Sequence, residues 1–182
     1  MYYSKIKNCD IANGDGVRIV LFVSGCRNHC EQCFQPETWN FEYGQPFTEN
    51  TINEIINLLK PDYIKGLTLL GGEPFEPENQ QTLINLLVRV KKELPNKNIW
   101  CFTGFVFDKE LYDLKNGNFV GGRAYTPCTA ELLKLINVLV DGRFVNELKR
   151  LNLNFRGSSN QRIILVQPTL EQNKIVLSPL NN

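Results

Sequence analysis

The sequence predicts an α/β fold: an open, partial (βα) barrel of about five or six mostly parallel strands in one domain spanning residues 1–182. Three observations carry that reading. Short apolar, strand-like runs alternate with stripes of helical period, the pattern of parallel strands joined by crossover helices. Gly and Pro stay in the loops between them, and no low-complexity linker interrupts the repeat. Five or six strands are too few to close an eight-stranded barrel, so the barrel stays open and its ligands gather at the carboxyl ends of the strands.

Strands are expected at 18–23, 67–70, 99–102, 137–140 and 163–166. Between the first two, Thr51-Ile52-Asn53-Glu54 has the form of a capping box, and Ile52, Ile55, Ile56 and Leu59 recur at helical spacing until Pro61 stops the helix. Leu83, Leu86, Leu87 and Val90 make a second apolar stripe. Shorter helices are expected at 111–114 and at 129–136, the latter capped by Thr129 ahead of Leu132, Leu133 and Ile136. Core packing accounts for all of these stripes. A chain of 182 residues is long enough to bury such a core, covering about 70% of the surface exposed by the unfolded chain.

Charge excludes two classes of partner. With 20 Lys+Arg against 19 Asp+Glu, and the basic residues scattered, nothing concentrates positive charge for nucleic acid or an anionic membrane. No apolar run approaches the roughly 18 to 20 residues of a membrane span, and Met1-Tyr2-Tyr3-Ser4-Lys5 does not read as a secretory signal, so a soluble cytoplasmic protein is expected. In that reducing setting Cys9, Cys101 and Cys128, which lack ligand-like spacing, read as small buried or half-buried side chains.

The remaining cysteines carry chemistry. Cys26, Cys30 and Cys33 form a CxxxCxxC run directly after the first long apolar strand. Three thiolates on one loop hold three corners of a cubane iron-sulfur cluster and leave its fourth iron without a protein ligand. Such an iron is a place for a small molecule to bind through N and O atoms while an electron is delivered, which suits reductive cleavage of a sulfonium. The nearest alternative is a Cys3His zinc site with His29. However, His29 adjoins Cys30, where zinc ligands are usually separated by two to four residues, and no second CxxC or HxxxH pair exists. A disulfide would leave one of the three unpaired.

A second motif falls at the next strand end, where Leu67-Thr68-Leu69-Leu70 runs into Gly71-Gly72-Glu73-Pro74. Glycines there allow a ligand to approach bare backbone, and the loop can present carbonyls and the Glu73 carboxylate to a cationic amino group, with Pro74 holding Glu73 extended. Alone this is a common turn; beside a CxxxCxxC loop it is far more specific.

Together these residues resemble the radical S-adenosylmethionine enzymes. Asp15-Gly16-Val17-Arg18 before the cysteine loop and Phe34-Gln35-Pro36-Glu37-Thr38-Trp39 after it are similar to the activating enzymes of glycyl-radical proteins. Val138-Leu139-Val140-Asp141-Gly142-Arg143-Phe144 and Phe155-Arg156-Gly157-Ser158-Ser159-Asn160-Gln161-Arg162 narrow the likeness to activases of anaerobic ribonucleotide reductases, over about 10–164 of the chain. The resemblance implies an oxidoreductase in which Cys26, Cys30 and Cys33 bind a [4Fe-4S] cluster and S-adenosylmethionine chelates the open iron. Gly71, Gly72, Glu73 and Pro74 would hold its amino group, and backbone groups of Gln32, Cys33 and Phe34 its adenine. It further implies a flavodoxin-type electron donor, a 5′-deoxyadenosyl radical, and a target glycine on the large subunit of the reductase. Gln32 departs from the aromatic residue many of these enzymes carry before the third cysteine, leaving Phe34 as the candidate stacking partner. The chain is also short, which leaves the open side of the barrel to the partner.

For the other polar residues two readings stand side by side. Asp141 and Arg143 either meet the cosubstrate's ribose or carboxylate or form an ordinary Asp-Gly turn. Arg156, Ser158, Asn160 and Gln161 either line the site or make turn and capping hydrogen bonds. His29 reads as an oriented loop residue, and Trp39 and Trp100 as packing. An activase of another glycyl-radical enzyme, of the formate-lyase type, shares the cysteine and GGEP loops, and a non-catalytic metal-binding module is the alternative outside enzymes.

Overall fold

Strand β2 (Val17–Val23) is buried at every position after Val17, the behaviour of a strand covered on both faces. The computed structural model describes residues 1–181 and builds outward from this strand. In chain order the elements are β1 (Tyr2–Asp10), β2, β3 (Gln45–Pro46), α1 (Glu49–Leu59), β4 (Ile64–Gly71), α2 (Pro77–Glu93) and β5 (Asn98–Phe102). The small hairpin β6 (Tyr112–Asp113) and β7 (Asn118–Phe119) follows, then α3 (Thr129–Leu135), β8 (Val138–Asp141), β9 (Arg162–Leu165) and α4 (Val166–Gln172).

The fold is mixed α/β around one seven-stranded sheet of order β3-β1-β2-β4-β5-β8-β9. The four central strands β2, β4, β5 and β8 run parallel, while β1 is antiparallel to β2 and β9 antiparallel to β8. All five expected strands form, but the fifth reverses direction, and the sheet gains β1 and the short β3 at its edge. One face carries the main core: Ile19, Leu21 and Val23 of β2, Leu67 and Leu69 of β4, and Ile99 and Cys101 of β5 pack against Ile55 and Leu59 of α1, Leu83 and Leu87 of α2 and Leu132 of α3. The other face carries a smaller cluster of Trp100, Val138, Val140 and Ile163, closed by Phe155 and Leu180. This alternation is the period of two along each strand.

Arg18 points to that second face and is fully buried. Its Nε donates to Thr68 Oγ1 at 2.7 Å, Nη2 donates to the Leu67 carbonyl at 2.9 Å, and Nη1 donates to the Asp15 carbonyl at 3.0 Å. Burial holds its pKa down at about 10. A guanidinium with these donors satisfied fixes the N-terminal half of β2 against β4.

Local chemistry corrects several expectations. The capping box of α1 is Thr48 with Thr51 as its N3 partner, one turn before the expected residues. The stretch expected as a helix at 111–114 is instead the end of a π-helical turn, Phe107–Leu111, running into β6. Helix α3 begins at Thr129 itself, and the preceding residue, Cys128, occupies the cap position. Val166, expected to end a strand, begins α4, where Pro168 sits in the first turn and its missing N–H costs no helical bond. Among the described residues no helix is long and apolar enough to cross a membrane.

Candidate functional site

The carboxyl ends of β2 and β4 deliver both motifs to one place. After Val23 the chain turns at Gly25, where φ is +94° and a Cβ would lie 2.4 Å from the Phe41 ring, so only glycine fits. The Gly25 N–H donates to the Thr38 carbonyl at 2.8 Å and the Cys26 N–H to the Trp39 carbonyl at 3.3 Å. His29 and Gln32 adopt left-handed backbone (φ 46° and 54°), which folds the CxxxCxxC segment back so that the Cys33 N–H reaches the Cys30 carbonyl at 3.1 Å. His29 stacks on Trp39 with ring centroids 4.6 Å apart.

All three sulfurs are free of disulfides. The Asn28 N–H points at Cys26 Sγ and the Gln35 N–H at Cys33 Sγ, each at 3.5 Å. Burial raises the Cys26 thiol to about 12, with Glu73, Glu76 and Cys30 adding to the shift and the Asn28 N–H opposing it. Cys30 is raised chiefly by burial, then by Cys33, against the Phe144 N–H and Arg143. Such sulfurs ionise when a cation arrives, because metal binding displaces the proton.

The GGEP loop packs directly on the cysteine loop. Gly72 N–H donates to the Val23 carbonyl at 2.7 Å and Glu73 N–H to the Gly25 carbonyl at 2.8 Å. A Cβ on Gly72 would sit 2.6 Å from the Gly25 oxygen, so part of the need for glycine comes from the neighbouring loop. We therefore expect Gly72→Ala to lower apo-protein stability by about 1–3 kcal/mol through forced overpacking. Gly121→Ala is the control, since nothing lies within 4 Å of a Cβ there, and thermal unfolding of the two variants checks the contrast.

Glu73 is buried to 1% exposure. Its Oε1 accepts from the Phe75 N–H at 2.9 Å and the Thr103 hydroxyl at 2.7 Å; Oε2 accepts from the Gly104 N–H at 2.7 Å and Asn28 Nδ2 at 3.1 Å. This one carboxylate ties together the loops that follow β2, β4 and β5. Asn79, in the first turn of α2, adds Nδ2 contacts to the Ser24 and Glu73 carbonyls, both at 3.0 Å.

A cavity of about 600 Å³ opens here. It brings together Cys26, Cys30, Cys33, Phe34, Gly71, Gly72, Glu73 and Arg143 over a floor of Phe22, Leu70 and Phe102. Gln32, Pro74 and Asp141 are not among its lining residues. Asp141 accepts from Arg162 at 3.0 and 2.5 Å and from the Phe107 N–H at 2.8 Å; its carboxylate is spent on the end of β8. Arg143 pairs with Glu110 at 3.3 Å.

The 157–162 segment fastens the same wall. Gln161 Oε1 accepts the Gly157 and Ser158 N–H groups at 2.9 and 3.2 Å, and its Nε2 donates to the Gly142 carbonyl at 2.9 Å. Asn160 Nδ2 donates to the Arg143 carbonyl at 2.8 Å. These are the turn-forming bonds expected of such residues, and they hold Phe144 against Phe34 at a centroid distance of 5.0 Å. Sequence reasoning missed Asn28, Thr103 and Gly104, whose roles depend on loops brought together from strands far apart in the chain.

The donor set fits an iron-sulfur cluster. Three sulfurs line one cavity, and N–H groups point at two of them, the kind of hydrogen bond that tunes a cluster's potential. Among the described residues, no group of three or more His, Cys, Asp or Glu side chains is placed to hold a single metal ion. Comparison with known proteins agrees: the family model described as a 4Fe-4S single cluster domain matches residues 12–164, which makes the chain a member of that iron-sulfur class. Within it, the chain is 41% identical over 163 residues to the anaerobic ribonucleoside-triphosphate reductase-activating protein of Enterobacteria phage T4, covering 90% of this chain and 93% of that one. It is 40% identical to the Escherichia coli (strain K12) protein of the same name, over 88% of this chain and 96% of the other. For the Haemophilus influenzae protein the figure is 39%, over 90% and 97%. The chain belongs to the family of anaerobic ribonucleoside-triphosphate reductase-activating proteins.

Proposed function

We propose that this chain is a radical S-adenosylmethionine activase, a single domain whose curved sheet serves as an open partial (βα) barrel, and that it installs the glycyl radical on the large subunit of an anaerobic ribonucleotide reductase in the cytoplasm. The observation that supports it most is the meeting of three unlinked cysteines with the Gly71-Gly72-Glu73 backbone in one cavity. Cys26, Cys30 and Cys33 would hold a [4Fe-4S] cluster. Bound there, that group supplies, with an electron from a flavodoxin-type donor, the one-electron reduction that splits S-adenosylmethionine into methionine and a 5′-deoxyadenosyl radical.

The chain's own residues bind, orient and exclude water. Gly71, Gly72 and Glu73, with Pro74 setting the loop's exit, would receive the amino group, and backbone groups of Gln32, Cys33 and Phe34 the adenine. Arg143 brings a cation to the cavity wall, where a carboxylate would meet it, while Asp141 orients that wall through Arg162. The apolar floor of Phe22, Leu70 and Phe102 keeps water from a carbon radical that water and stray donors would quench.

The test is anaerobic. Iron and labile sulfide near four each per chain support the cluster; one zinc without sulfide contradicts it. The reconstituted protein, a reductant and S-adenosylmethionine are then mixed with the reductase. An EPR doublet from the glycyl radical that needs every component is the expected result. 5′-Deoxyadenosine without a doublet moves the target to another glycyl-radical enzyme.

A further inference from the structure

Between Cys26 and Cys30 lie Arg27 and Asn28, and both are gripped from outside the loop. Glu76, three residues after Glu73, is fully buried. Its Oε1 accepts the Arg27 N–H at 2.8 Å and Arg123 Nη1 at 2.8 Å, and its Oε2 accepts Arg27 Nη1 at 2.6 Å. Arg123 Nη2 in turn donates to Asn28 Oδ1, while Asn28 Nδ2 donates to Glu73 Oε2 at 3.1 Å. Glu78 adds a more exposed pair with Arg27, and the Arg27 guanidinium lies 4.3 Å from the Phe41 ring centroid. A second guanidinium–ring contact, Arg123 over Phe105 at 4.6 Å, seats the other arm.

A closed circuit of this kind differs from a surface ion pair. Exposed pairs contribute little, but a buried carboxylate that loses one of two guanidinium partners retains a charge that cannot be rehydrated. The circuit is also placed where it matters. Neither Glu76 nor Arg123 is among the residues lining the cavity, yet the circuit fixes the peptide linking the first two cysteines to the start of α2, and it reaches across to the loop around 121–125. Residues that hold a ligand-bearing segment control how firmly the ligands grip and how the site is tuned.

We propose that Glu76 and Arg123 are positioning residues that preorganise the Cys26–Cys30 segment for its cluster through Arg27 and Asn28. This rests on the iron-sulfur reading above, so the test begins on the metal-free chain. In hydrogen exchange, the Arg27 and Asn28 amides should exchange about ten-fold faster in Arg123→Ala than in the parent, and faster again in Glu76→Gln, while the β2 amides stay protected. Arg123→Lys, which retains a cation for Glu76, should restore part of the protection. Arg89→Ala, which breaks a solvent-exposed network with Glu49 and Glu93 on the helices, should leave the segment unchanged.

On the reconstituted protein, iron loss to a chelator should quicken about ten-fold in Arg123→Ala and Glu76→Gln, and the reduced cluster's EPR signal should broaden into mixed species. Unchanged exchange at Arg27 and Asn28 in folded Arg123→Ala would overturn the proposal, as would faster exchange with parental iron loss and an unaltered EPR signal. Failure of the parent chain to take up iron and sulfide would instead sink the iron-sulfur reading, with the exchange result still judging the clamp.

Discussion

Cys30→Ala is expected to abolish S-adenosylmethionine cleavage and to lower bound iron well below four per chain, whereas Cys9→Ala and Cys128→Ala keep both. Position decides the contrast. Cys30 lines the cavity together with Cys26 and Cys33, and this loop offers three cysteines for the three the proposed cluster would use. Cys9 is exposed at a left-handed position of β1. Cys128 sits beside α3 with its thiol directed at Gln81 Oε1, 3.0 Å away. Cys101 lies in the helix-side core, where burial raises its thiol well above the ordinary value, so it stays protonated and unreactive. Neither Glu73 nor His29 replaces the lost thiolate: Glu73 is held by four donors and His29 is stacked on Trp39. Iron and sulfide analysis together with chromatographic detection of 5′-deoxyadenosine measures the outcome, and cleavage retained by Cys30→Ala contradicts the assignment.

Much of this site was legible because its chemistry is local in sequence. The CxxxCxxC and GGEP runs each stand at the end of an apolar strand, and parallel strand ends converge by topology alone. The five strands in the parallel core and at β9 were legible for the same reason: they are apolar on both faces. Strand β1 was not, since Lys5, Lys7, Asn8 and Cys9 are exposed and the alternation that marks a half-buried strand is blurred at a sheet edge. The reversal of β9 was equally hidden, because apolar content records burial and not direction. Cross-loop partners were the hardest to foresee. Asn28, Thr103 and Glu76 are ordinary polar residues in sequence, and their meaning comes only from carboxylates that folding carries to within hydrogen-bond reach. The Asp141-Gly142 pair carried two readings at once, turn and ligand; the carboxylate's bonds to Arg162 and Phe107 favour a role in fixing the end of β8.

Glu73→Gln is expected to cost the metal-free protein about 1–3 kcal/mol and to remove one segment of its pH dependence. The carboxylate has four donors aimed at it, from Phe75, Thr103, Gly104 and Asn28. An amide keeps one acceptor oxygen and turns its NH2 toward two of those donors, leaving buried N–H groups unpaired. Burial raises the Glu73 pKa from 4.5 to about 7, against the Phe75 and Gly104 N–H groups and the Thr103 hydroxyl, which favour the ionised form; Glu76 adds to the rise. The sign follows from proton counting. Between about 4.5 and 7 the folded chain holds a proton at this site that the unfolded chain has released, so the Glu73 contribution to stability falls as pH rises through that window and levels off above it. The variant's amide does not titrate, and the difference between parent and variant should therefore be largest at low pH and shrink toward neutrality. Denaturant unfolding of both proteins from pH 4.5 to 8 measures it. A gap that stays constant across that range would mean that Glu73 is already ionised throughout, and that its four donors outweigh its burial.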